Sequence, residues 1–326
     1  MAAPIAVSLG DPAGVGPEII VAAWQALKAS GPAFVVVGDA KTLLARGAPA
    51  VRRISDPMHA LAAFREAVPV LDHPLPEPVT PGLPAAFSAP HIIAWIETAA
   101  RLAQHGAAAA VVTAPIAKTL LYDAGFAFPG HTEFLGEICG VALPVMMLTA
   151  ADLKVTLVTI HEPLARVSAL LSRERIIAVG ETTARALRND FGIAGPRLAI
   201  AALNPHAGEG GALGREEIEI IAPAVAELRR LGYDATGPAP GDSLFHPEAR
   251  LTYDVALCMY HDQALIPVKM LDFWGGVNVT LGLPIVRTSP DHGVAYALAG
   301  AGVARPDSLI AAVKLAAEIS ARRQRA

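Results

Sequence analysis

Short apolar, β-branched runs alternate along this chain with longer segments whose apolar residues recur every three or four positions. The runs IAVSL, AFVVVG, AAAAVVTAP, KVTLVTI, RLAIAAL and DVALCMY read as buried strands. Between them, PEIIVAAWQALKAS, APHIIAWIETAARLAQHG, RERIIAVGETTARALRNDFG and REEIEIIAPAVAELRRLG carry the helical period, with polar residues on the opposite face. Strand then helix, repeated, predicts an α/β fold with parallel sheets covered by helices. The stretch LDHPLPEPVTPGLP, within Val70 to Pro84, is rich in proline and predicts an extended surface excursion. The pattern changes near Gly125 to Gly130 and again near Pro284. That predicts a discontinuous first α/β domain, residues 1–127 plus 286–326, with a second α/β domain, residues 128–285, inserted in it.

Three of the runs end in histidine: His161 follows LKVTLVTI, His206 follows RLAIAALNP and His261 follows DVALCMY. In an open parallel sheet the carboxyl ends of the strands share one edge, so residues distant in sequence can converge there. Three imidazoles with an open coordination position make a catalytic metal site. Three unrelated strand-end histidines are the competing reading.

Composition narrows the function classes. With 326 residues, 53% of them hydrophobic and 17% charged, the chain can bury a large core. Aromatics make up only 5%, and the net charge of −4 provides no basic field for nucleic acid. No uncharged run is long enough to span a membrane, and MAAPIAVSLGDP lacks the basic start and long apolar stretch of a signal peptide. Cys139 and Cys258 are too few for a disulfide framework. Together these predict a soluble cytoplasmic protein whose partners include no nucleic acid and no membrane.

Several loops carry polar chemistry. In SLGDPAGVGPEII, Gly10, Gly14 and Gly16 lead from a strand into a helix that opens with Pro17 and Glu18, which suits either close approach of a ligand or a tight turn alone. The spacing is not the dinucleotide fingerprint, because Ile19 stands where a third glycine is required. In FPGHTEFLGE, His131 and Thr132 can bond a polar substrate, or Thr132 can cap the helix. The turn LNPHAGEGG holds His206 among glycines. In MYHDQALIPVKMLDFWGGVNVTLGLPIVRTSPDHG, Lys269 and Arg287 lie among apolar residues, where an unpaired charge is expensive. An anionic substrate satisfies them, and so does an internal ion pair with Asp262, Asp272 or Asp291.

These motifs, GDPAGVGPE, GHTEFLGE, LNPHAGEGG, MYHDQ and VNVTLGLPIVRTSPDHG, in this order over nearly the whole chain, resemble the 4-hydroxythreonine-4-phosphate dehydrogenase family of pyridoxal phosphate biosynthesis. The resemblance implies two α/β/α domains with a cleft between them, similar to isocitrate and isopropylmalate dehydrogenases. It implies a homodimer with an active site shared between subunits. His161, His206 and His261 match metal ligands, His261 reaching in from the neighbouring subunit. His131, Thr132, Lys269, Asn278 and Arg287 match substrate-binding positions, and Asp242 and Asp262 are candidates for proton transfer.

The implied cofactors are NAD or NADP and a divalent metal: zinc first, since imidazole suits it, then magnesium or cobalt. The implied substrate is a small phosphorylated hydroxy amino acid. Ala117 departs from the polar residue that often precedes the lysine equivalent to Lys118. Relatives in the family oxidise erythronate or threonate phosphates or aromatic dihydrodiol carboxylates. A zinc hydrolase, or a phosphate-binding protein with a structural metal, would also use three histidines.

Overall fold

The computed structural model describes residues 3–325. Twelve strands occur among the described residues: β1 (Ile5–Ser8), β2 (Phe34–Gly38), β3 (Val51–Ile54), β4 (Val68–Asp72), β5 (Ala110–Thr113), β6 (Val145–Ala150), β7 (Leu153–Leu157), β8 (Arg197–Ala201), β9 (Asp234–Ala239), β10 (Val255–Cys258), β11 (Val277–Leu281) and β12 (Arg287–Pro290). Helices separate most of them, so the protein is α/β, as the alternation predicts. Among the described residues, no helix is long and apolar enough to cross a membrane.

The chain forms two compact units, one running to Leu143 and rejoined by Leu283–Arg325, the other Pro144–Gly282. In the first, the strand order is β3-β4-β2-β1-β5-β12, with every pairing parallel. Trp24, Phe34, Ile92, Trp95 and Ile96 are fully buried in its core. In the second, the order is β11-β6-β7-β10-β8-β9. Here β7, β10, β8 and β9 are parallel neighbours, whereas β6 runs antiparallel to both β7 and β11. The reason is the connection: only Ala151 and Asp152 join β6 to β7, and so short a link makes a hairpin, never a crossover.

The division falls after Leu143, where the sequence pattern places it after residue 127. A break at 127 would split one aromatic cluster, since the Phe126 ring stands 5.4 Å from Phe128 and 5.0 Å from Phe134. That cluster keeps the helix His131–Cys139 with the first unit. Val70–Asp72, at the start of the proline-rich stretch, belongs to β4, paired on both sides.

The first loop is packed tightly against its own unit. Gly10 has φ +75°, and a β-carbon there would stand 2.6 Å from the Pro115 carbonyl oxygen. At Gly14 it would stand 2.8 Å from the Val294 oxygen. Buried Asp11 accepts from the Ala13 amide and from the Tyr296 hydroxyl. Arg46 and Glu18, nearly enclosed, pair at 3.3 Å behind the loop. Close approach of backbone to backbone therefore accounts for these glycines. Gly10→Ala is expected to destabilise the protein by about 1–3 kcal/mol in urea unfolding; unchanged stability would contradict this packing account.

Candidate active site

In the second unit β10 lies between β7 and β8 and parallel to both, so the three strands end on one edge. The residues just past those ends are His161, His261 and His206. Neighbouring strands are about 4.8 Å apart, so side chains on adjacent strand ends meet. The His161 and His261 rings lie 5.8 Å apart. Together they line a pocket of about 330 Å³ with Glu162, Tyr260 and Asp262. The Asp262 Oδ1 is 2.7 Å from His261 Nδ1, which leaves Nε2 for another ligand.

His206 lines a second pocket, of about 540 Å³, with Asn204, Asp242, Tyr260, Asp262 and Gln263. Tyr260 and Asp262 form part of both walls. The loop Pro205–Gly211 is unusual: φ is positive at His206, Ala207, Gly208, Glu209 and Gly210. For residues with a β-carbon this conformation costs roughly 1–2 kcal/mol each. Gln263 ties the two strand ends together, donating to the Ala202 carbonyl at 2.6 Å and accepting from the Met259 amide at 2.7 Å.

Among the described residues no group of three or more His, Cys, Asp or Glu side chains stands close enough to hold a metal ion. The donor chemistry suits a divalent ion, and among the described residues the His161 and His261 rings are neighbours while His206 follows β8, on the other side of β10 from β7.

The first unit carries a cationic cluster. Arg287, at the start of β12, is 2% exposed and donates to Thr113 Oγ1 at 2.6 Å. Burial, only partly offset by Glu133, pushes its guanidinium down to about 9, so it stays charged at neutral pH. Burial, then Arg287, then Lys118 hold His131 well below the usual imidazole range, which keeps its ring neutral. Its Nε2 is buried and has no hydrogen-bond partner. The helix His131–Cys139 is capped by Gly130, so Thr132, 2% exposed, lies inside the first turn and does not cap it.

The remaining predicted residues lie in the second unit. Lys269 extends from the helix His261–Leu271, its Nζ 5.2 Å from the centre of the Phe273 ring. Asn278 pairs with Leu148 across β11 and β6, its Oδ1 buried without a hydrogen-bond partner. Asp242 and Asp262 are both exposed. The sequence reading passed over Lys118 and Glu133 as site residues, as well as Thr113, Gln263 and Glu217. Lys118 could have been found, because it starts the helix Lys118–Asp123 just beyond β5. Ala117, at the head of that helix, has no side chain to cap it.

Comparison with known proteins defines the class. The chain is 64% identical to the 4-hydroxythreonine-4-phosphate dehydrogenase of Caulobacter vibrioides, over 98% of both chains. The crystal structure of 4-hydroxythreonine-4-phosphate dehydrogenase from Klebsiella pneumoniae superposes with a TM-score of 0.87 at 41% identity, covering 98% of each chain. A terephthalate 1,2-cis-dihydrodiol dehydrogenase from Burkholderia xenovorans LB400 superposes with a TM-score of 0.65 at 29% identity, again over 98% of each. All three are dehydrogenases. Residues 31–316 match the family model described as pyridoxal phosphate biosynthetic protein PdxA, and the chain belongs to that family.

The neutral His131 has a consequence for stability. Its ring takes up a proton near 6.5 in the unfolded chain but resists one in the fold, so unfolding stability should fall as pH drops below 6.5. His131→Asn is expected to flatten that decline in urea titrations between about pH 7 and pH 5. An identical slope in the variant would mean that His131 is not held neutral.

Proposed function

We propose that the protein is a 4-hydroxythreonine-4-phosphate dehydrogenase. It oxidises C3 of 4-phosphohydroxy-L-threonine to 2-amino-3-oxo-4-phosphooxybutanoate, which decarboxylates to 3-amino-2-oxopropyl phosphate. The observation that carries this reading is buried Arg287 with Lys118 and neutral His131 around the single carboxylate of Glu133, an excess of positive charge that favours an anionic ligand. Identity of 64% to a dehydrogenase of this name, against 29% to a dihydrodiol dehydrogenase, favours the phosphorylated substrate over the other acids of the family.

His131, Thr132, Lys269, Asn278 and Arg287 bind the substrate in this proposal. Arg287 and Lys269 supply charge and donors for phosphate or carboxylate, and the unpartnered His131 Nε2 and Asn278 Oδ1 supply polar contacts that orient C3. NAD or NADP accepts the hydride from C3. The hydroxyl proton leaves through Asp242 or Asp262, and an equivalent proton is taken up at carbon when carbon dioxide departs, so the overall reaction is proton-neutral.

His161, His206 and His261 are the proposed ligands of a divalent ion, zinc ahead of cobalt or magnesium. When bound, such an ion supplies positive charge beside the alcohol oxygen. A second copy of the chain completes the ligand set in the proposed homodimer. Ile266, Met270, Phe273 and Trp274, all exposed on or just beyond the helix that begins at His261, support a partner on that face. Cys139 and Cys258 are free thiols, which supports a reducing compartment, the cytoplasm.

Purified protein given 4-phosphohydroxythreonine, divalent metal and NAD should accumulate reduced nicotinamide. Substrate hydrolysis with no requirement for NAD would overturn the reading in favour of a zinc hydrolase. Arg287→Met is expected to lower kcat/KM by about 10- to 100-fold, the loss typical of a charged hydrogen bond. An unaffected kcat/KM would remove Arg287 from the substrate site.

A further inference from the structure

One buried carboxylate bonds the entry to the left-handed loop that carries His206. Glu217 is 3% exposed and opens the π-helical turn Glu217–Ile221. Its Oε1 accepts from the Leu203 and Asn204 amides, each at 2.8 Å, and its Oε2 accepts from Asn204 Nδ2 at 2.9 Å. Burial works against the charged form, yet the bonds from Asn204 and Leu203 outweigh it and hold the carboxyl below its ordinary range. A β-carbon at Gly208 would stand 2.6 Å from Glu217 Oε2, so the loop closes directly over the carboxylate. Asn204 is gripped again by Glu216 Oε2 at 2.7 Å, and Glu216 accepts from Ser168 at 2.6 Å.

This arrangement answers a question that the loop itself poses. His206, Ala207 and Glu209 adopt a conformation that residues with a β-carbon avoid, and such strain persists only where surrounding structure over-determines it. The bonds at the entry to the loop, from Leu203 and Asn204, converge on Glu217, and Gly208 packs against the same carboxylate. Neutral glutamine could keep the two bonds to Oε1, but its amide nitrogen would confront Asn204 Nδ2, donor against donor.

We propose that Glu217 is a positioning residue: its carboxylate fixes the loop Asn204–Gly211 and thereby the direction in which His206 presents its imidazole to a divalent cation. The role given to His206 rests on the function proposed above. The clamp itself does not.

The test compares the full-length wild type with Glu217→Gln, Asn204→Ala and the surface control Glu219→Gln, whose carboxylate pairs with Arg215. Three quantities are read: amide hydrogen exchange, zinc affinity by competition with a chelating dye, and steady-state kinetics. In Glu217→Gln and Asn204→Ala, exchange across residues 204–211 should quicken while β7 and β10 keep their protection, and zinc affinity should fall by about 10- to 100-fold. Loss should appear in kcat more than in KM for NAD, and Glu219→Gln should behave as the wild type. If Glu217→Gln does not fold, Asn204→Ala decides alone. Unchanged loop exchange and zinc affinity overturn the proposal, and so does a general loss of stability with no local change at the loop. Should the wild type bind no zinc and reduce no NAD, the role of His206 falls, while the exchange data still decide whether Glu217 holds the loop.

Discussion

The parallel pairing of β10 with both β7 and β8 is the constraint on which the metal chemistry proposed for the second unit depends. Because the three strands point the same way, their following loops must emerge on one edge, and each loop delivers a histidine there. The histidines after β7 and β10 are ring neighbours at 5.8 Å, and the one after β8, carried on a left-handed loop, lines the adjoining pocket. Gln263 bridges the ends of β8 and β10 with its two hydrogen bonds.

The first unit obeys a different constraint, the expense of burying a guanidinium. Arg287 sits at the start of a strand in the all-parallel sheet, 2% exposed, and burial, then Arg287, then Lys118 lower the proton affinity of His131. Two cations face one carboxylate, Glu133, there, and burial together with that charge keeps the histidine neutral. In the proposed reaction that charge orients an acidic substrate.

Much of this was legible in the sequence, and the exceptions have physical causes. The runs that became β1, β2, β5, β7, β8 and β10 are buried strands of parallel sheet, so they read as continuous apolar stretches. β3 escaped notice because Arg52 and Arg53 interrupt it, β12 because it is RTSP, and β9 because its residues are DATGPA. The strand-end histidines and Arg287 could be found because a polar residue after or within an apolar run is conspicuous. Glu217 could not, since an acidic residue in REEIEII looks like a solvated helix face until the fold buries it against Asn204. The strained conformation at His206 is equally invisible in sequence, as only glycines advertise positive φ.

X-ray absorption at the metal edge of cobalt-loaded protein counts the imidazoles around the ion and so decides whether the three strand-end histidines bind it together. His161, His206 and His261 should all be in the coordination sphere at a ratio of one ion per chain, with His206→Ala losing one imidazole and retaining two. An all-oxygen sphere, or a spectrum unchanged by His206→Ala, would contradict that coordination.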